Sequence, residues 1–139
     1  MSQSTTVRAF AAANKDAPLA QIDINLPELG SNDVDIHVAY CGLCHSDVSM
    51  RHNEWGATSY PFVGGHEVAG TVKAVGSAVG HLVVGQHVGL GWHSDYCNQC
   101  STCHDGDQNL CGSAQGTFIG RHGGFAEVVR ADASAVIAL

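Results

Sequence analysis

Four cysteines fall within fifteen residues: Cys97, Cys100, Cys103 and Cys111, in the spacing C-x2-C-x2-C-x7-C. A structural zinc ion takes four soft ligands tetrahedrally at about 2.3 Å, and four thiolates this close in sequence can supply them from one loop. The intervening residues are hydrophilic, among them Asn98, Gln99, Ser101, Thr102, Asp105 and Asp107. Such a loop has little core of its own, so a metal would supply its folding free energy. The competing reading is a pair of disulfides in a secreted domain. His93 and His104 flank the thiolates and are expected to be bystanders, since four sulfurs already complete a tetrahedral shell.

A second concentration of reactive residues is Cys41-Gly42-Leu43-Cys44-His45-Ser46-Asp47, followed by Arg51 and His52. Read alone, Cys41 and Cys44 form a C-x2-C that could be a redox pair, but the expected βαβ context is missing. Cys41 ends an apolar run and reads as a small buried hydrophobe. Ser46 or Asp47 is expected to cap a short helix. Further along stands Gly65-His66-Glu67-x2-Gly70-x5-Gly76-x2-Val79. A lone His-Glu pair is a weak signal. The glycine spacing strengthens it, because glycine lets backbone approach a ligand closely or turn with positive φ.

These residues need strands and turns to position them. Val7–Phe10 and Leu19–Ile24 read as short strands joined by a turn at Lys15–Pro18, and Leu26–Asp33 as a loop. Val34, Ile36 and Val38 alternate with Asp33, Asp35 and His37, which is the period of a half-buried strand with His37 on its solvated face. Thr71–Val75, a region from Val83 to Gly91, Gly123–Val129 and Ala133–Leu139 supply further strands. His81 and His87 are expected to be exposed, and Cys100–Asp107 to form a turn of helix.

The 139 residues include 17 glycines and only 14% charged side chains. One mainly β domain spanning 1–139 follows, with the four-cysteine lobe at about 93–113. The net charge of −7, from 6 basic and 13 acidic residues, argues against nucleic acid or an anionic membrane surface as partner. No basic-then-apolar leader opens the chain, and no apolar run is long enough to span a bilayer, so a cytoplasmic location is expected.

Taken together, Cys44-His45-Ser46-Asp47, the Gly65-His66-Glu67 glycine pattern, the four-cysteine loop and Gly123-Gly124-Phe125-Ala126-Glu127 resemble the N-terminal catalytic domain of the zinc-containing, medium-chain alcohol dehydrogenases. The likeness is to the cinnamyl- and yeast-type branches and covers nearly the whole chain. It implies a GroES-like, partly open β-barrel with short helices and a protruding zinc lobe. It also implies a second, catalytic zinc with Cys44 and His66 as ligands and Glu67 close enough to join them. The family's remaining cysteine ligand has no counterpart here. Zinc would act as a Lewis acid that lowers the pKa of an alcohol, and hydride would pass to NAD or NADP. By the same resemblance Ser46 takes the alcohol proton, Asp47 orients His66, His45 meets a cofactor phosphate, and Trp55 and Trp92 narrow the substrate pocket. For either Trp, plain packing is an equal alternative.

Two departures follow. Many members end the proton relay at a histidine five residues after the ligand cysteine. Here that position is Ser49, with His52 three residues beyond it, so either His52 reaches the relay or the proton leaves through water. Slower, more pH-sensitive proton release is expected. Moreover, no G-x-G-x-x-G follows a strand. The expected function is therefore the catalytic domain of a dehydrogenase that interconverts primary alcohols and aldehydes, with its Rossmann domain missing. The chain alone would bind zinc and be inactive or weakly active, and an uncovered apolar face would favour a homo-oligomer. A non-catalytic zinc-binding module, or hydrolysis by a zinc-activated water, are the alternatives.

Overall fold

The computed structural model describes residues 5–139. Strand β1 (Thr5–Ala12) and strand β2 (Leu19–Leu26) form an antiparallel hairpin in full register from Thr5↔Leu26 to Ala12↔Leu19. Strand β3 (Asp33–Gly42) leads to helix α1 (His45–Arg51), and strand β4 (Glu67–Val75) returns beside β3. Then come β5 (His87–Leu90), β6 (His93–Asp95), helix α2 (Ser101–His104), β7 (Gln115–Gly116), β8 (Val128–Asp132) and β9 (Val136–Ala138). The main sheet has the order β8-β3-β4-β5-β9, antiparallel at each pairing. It curls into a half-barrel. The expected mainly β, partly open architecture is therefore present.

The sheet's inner face carries Val34, Ile36, Val68, Val72, Val88, Leu90, Val129 and Ala131, all buried. Branched residues suit this role because they pack well on a pleated surface. The hairpin closes one side with Val7, Ala9, Ile24 and Leu26, joined by Val63 and Val128. It is stitched on by bridges from Ala9 to Ala126 and from Ala12 to Phe62. A third cluster, Met50, Phe62 and Phe118, fills the space under α1. Gly70 lets β3 approach β4, since a Cβ there would lie 2.2 Å from the His37 carbonyl oxygen.

Several element boundaries differ from the sequence reading. The alternation in β3 holds for Val34 and Ile36, and His37 is exposed, but Asp35 is buried. The reason lies in β8, where Arg130 pairs across from Asp35 in the register and donates from Nε to Oδ1 at 2.7 Å and from Nη2 to Oδ2 at 3.0 Å. A buried charge survives when it is paired and hydrogen-bonded. The strand expected at Gly123–Val129 begins only at Val128. The residues before it form a loop tied to the barrel by Gly123 N–H to Val63 O and Gly124 N–H to Gly65 O. From Val83 only His87–Leu90 is strand, because Gly85 turns the chain at φ 87°. At the C-terminal side, Ala133–Ala135 is a 3-10 turn capped by Asp132, and only Val136–Ala138 is strand.

Candidate metal centres

Short hairpin β6–β7 carries the four-cysteine lobe between its strands. Asn98 turns the chain at φ 55° just after Cys97, and its amide donates to Ser134 Oγ at 3.1 Å, tying the lobe to the barrel. Cys100 is the residue before α2, Cys103 lies within it, and Cys111 follows a 3-10 turn at Gln108–Leu110. The four sulfurs lie within 4.8 Å of one another. Cys97 and Cys103 are 3.9 Å apart, and Cys97 and Cys111 3.5 Å. A disulfide needs about 2.05 Å, so these are free thiols. A tetrahedron of sulfurs around zinc has an edge of about 3.8 Å, which these separations fit.

Without a cation the thiols of Cys100 and Cys103 hold their protons unequally. A hydrogen bond from the Thr102 hydroxyl, then one from the Cys103 N–H, pull Cys100 down to about 6. Burial, then the neighbouring Cys100 and Cys111, push Cys103 up to about 12. Four adjacent thiolates repel one another, and a divalent cation removes that conflict by binding all of them. His93 stacks edge-on with Tyr96, its ring 5.4 Å away, and His104 is exposed, so neither histidine faces the sulfurs as a fifth donor.

A second cluster gathers Cys44, Asp47 and His66. Strand β3 ends at Gly42, and Cys44, not Ser46 or Asp47, is the N-cap of α1. Its sulfur accepts from the Ser46 N–H at 3.4 Å, while Asp47, three residues on, accepts from the Cys44 N–H at 3.0 Å. This is a capping box in which a thiol replaces the usual hydroxyl. The other Asp47 oxygen accepts from the Gly65 N–H at 2.7 Å. One carboxylate, only 3% exposed, thus joins the two segments that carry Cys44 and His66. Gly65 is required, because its φ is 95° and a Cβ would lie 2.7 Å from the Phe125 nitrogen.

The outcome is a thiol and an imidazole facing each other, with Cys44 Sγ 3.3 Å from His66 Nε2. Sulfur and nitrogen ligands on one tetrahedral zinc stand about 3.6 Å apart. On the other side of the ring, Asp47 Oδ1 is 3.6 Å from Nδ1. Glu67 begins β4 with its side chain half exposed, and its Oε1 stands 4.0 Å from His66 Nε2. The donor set of Cys44, His66 and an optional Glu67 fits a divalent ion with an open side.

The other expected residues take varied positions. His45 is exposed on the first residue of α1 and Ser46 is half-buried behind it. His52 is exposed at the C-cap, six residues from Ser46, which is about 9 Å along a helix axis. Ser49 is buried between them. Trp55 and Trp92 meet with ring centroids 6.2 Å apart, and Trp92 also lies 5.0 Å from the His66 ring. Phe118, which the sequence reading did not single out, is 4.8 Å from that ring and 5.4 Å from Trp92. It belongs to no motif, and only the fold brings it to His66.

The alcohol dehydrogenase GroES-like domain family matches residues 30–139. Aldehyde reductase AdhA of Synechocystis sp. is 49% identical over 133 residues, covering 96% of this chain and 40% of that protein. Among solved structures, the cinnamyl alcohol dehydrogenase SbCAD4 of Sorghum bicolor is 33% identical with a TM-score of 0.89, covering 97% of this chain and 41% of that one. The Helicobacter pylori CAD, solved with NADP(H), is 29% identical with a TM-score of 0.92, covering 99% of this chain and 42% of that one. The chain thus spans about two fifths of the length of these relatives. With that family matched over most of its length, this chain belongs to the alcohol dehydrogenase GroES-like domain family.

Proposed function

We propose that this chain is the metal-holding catalytic part of a zinc alcohol dehydrogenase that interconverts primary alcohols and aldehydes with NADP(H) or NAD(H). The observation that carries the reading is the 3.3 Å approach of Cys44 Sγ to His66 Nε2, with Asp47 behind the ring and Glu67 in front of it. Cys44 and His66 would hold a catalytic zinc, which supplies Lewis acidity toward an alcohol or aldehyde oxygen when bound. Cys97, Cys100, Cys103 and Cys111 would hold a structural zinc.

The chain's own residues supply the rest. Asp47 fixes the spacing of the two ligands by holding the Cys44 and Gly65 amides. Ser46, the second residue of α1, would take the alcohol's proton at Oγ. His52 stands at the exposed end of the same helix, so a proton moving from Ser46 toward it crosses solvent on the way. His45, exposed at the helix start, would meet a phosphate of the cofactor. Trp55, Trp92 and Phe118 form an apolar wall that excludes water and favours slender substrates. Glu67, close to Nε2 yet open to solvent, is placed to stand in as a ligand. On this reading the chain by itself binds zinc and is inactive or weakly active toward alcohols. AdhA and SbCAD4 are named for aldehyde reduction and cinnamyl alcohol oxidation, and those two chemistries are the starting point for substrates.

Cobalt substitution tests the reading. The chain should take up two cobalt ions, one with an all-thiolate spectrum and one with mixed sulfur and nitrogen ligation. Cys44→Ala should abolish only the second. A single ion of all-sulfur character, unchanged in Cys44→Ala, would sink it.

A further inference from the structure

His66 Nδ1 is buried and has no hydrogen-bond partner among the described residues. Its nearest carboxylate oxygen, Asp47 Oδ1, is 3.6 Å away and already accepts from the Gly65 N–H at 2.7 Å. A histidine ligand is ordinarily oriented by a hydrogen bond to its second nitrogen. Beside that carboxylate, two aromatic rings flank the imidazole. Phe118 meets the imidazole at 4.8 Å and 61°, and Trp92 meets it at 5.0 Å and 84°, both within edge-to-face range.

Both rings hang on one hairpin. Trp92 immediately precedes β6, and Phe118 stands two residues after β7. Thr117 links them, its N–H donating to the Trp92 carbonyl at 2.9 Å and its hydroxyl to the Gly91 carbonyl at 2.7 Å. Yet β6 and β7 pair only at His93↔Gly116 and Asp95↔Gln115, with a register shift between. Two-stranded hairpins are marginal in water even when longer than this. The segment that closes this one is the lobe of Cys97, Cys100, Cys103 and Cys111.

We infer that the four-cysteine lobe is a positioning device for His66: by setting the register of β6 and β7 it holds Trp92 and Phe118 against the imidazole, so Phe118 is a positioning residue for the ligand histidine. The lobe then acts on the Cys44–His66 centre, and does more than stabilise itself. This rests on the reading of Cys44 and His66 as a metal site.

The test measures cobalt affinity at the Cys44–His66 centre by chelator competition, with the lobe preloaded with zinc where its cysteines are intact. Phe118→Leu, which keeps apolar volume but removes the ring, should weaken that affinity about tenfold, the lower end of what lost ligand orientation costs. Cys111→Ser, which opens the lobe, should do the same while circular dichroism shows the main sheet retained. Met50→Leu, altering the same apolar cluster from the side of α1, should stay within about twofold, well inside that range. If the wild-type chain binds cobalt at the centre and Phe118→Leu binds it equally well, the positioning role is wrong and the metal site stands. If the wild-type chain binds no cobalt there, both fall. Should Cys111→Ser lose the sheet, Phe118→Leu alone decides.

Discussion

Asp47 places both carboxylate oxygens on backbone amides, one from each ligand-bearing segment, and leaves one of them facing His66. Aspartate is needed because both amides donate, and only a carboxylate accepts on both sides. Asparagine would turn an NH2 toward either Cys44 or Gly65. Asp47→Asn should therefore weaken metal binding at the Cys44–His66 centre 10- to 100-fold, roughly the cost of losing a ligand's supporting partner. The lobe ion should be unaffected. Asp47→Ala should in addition cost about 2–3 kcal/mol of stability, because two amides lose a charged acceptor in a buried place. Chelator competition and urea denaturation measure the two effects separately. Equal metal affinity in Asp47→Asn would show that the carboxylate has no part in the centre. Asp47 was legible in the sequence only as a neighbour of Cys44. That its second oxygen reaches Gly65, eighteen residues on, is a property of the fold.

At the scale of elements, what the sequence showed best was what repeats or clusters locally. The four-cysteine spacing and the Val34–Ile36 alternation are short-range patterns, and both reappear as a sulfur cluster and a core strand. What it hid depended on partners far along the chain. Asp35 reads as polar by period, but Arg130, 95 residues away, draws it inside. The loop before β8 is another such case, since its glycines and His122 are set by contacts with the barrel. Burial, then the adjacent Arg121 cation, hold the His122 imidazole below its ordinary value of 6.5. Folding therefore favours the neutral ring. The stability tied to it is complete above about 6.5 and is lost as pH falls through the lower folded-state value. His122→Gln removes the titration. Its melting temperature should fall less steeply than that of the wild-type chain between about pH 7 and about pH 5. Parallel slopes for the two proteins would show that His122 titrates alike folded and unfolded.

For the molecule as a whole, the surface is less complete than the core. Strand β3 outruns β8 by five residues, since their pairing ends at His37↔Val128. Beyond it, Tyr40 and Leu43 are 79% and 70% exposed. Beside this edge runs an apolar groove of about 640 Å³ whose walls include Phe10, Leu19, Val38, Leu43 and Phe125. An unpaired strand edge next to exposed apolar side chains is a template for pairing with another chain. Relatives more than twice as long carry residues that could cover such a face, and a second copy of this chain could cover it too. The net charge of −7 opposes that approach over a distance, and salt screens it. The chain should therefore self-associate reversibly, more at high than at low ionic strength. Sedimentation velocity should show species heavier than 14.5 kDa as concentration rises. Phe10→Ser combined with Leu43→Ser should return the population toward monomer without loss of the lobe metal, because both side chains lie outside the buried core. A wild-type chain that stays monomeric at high protein and high salt would mean that this edge is protected by its own twist and needs no cover.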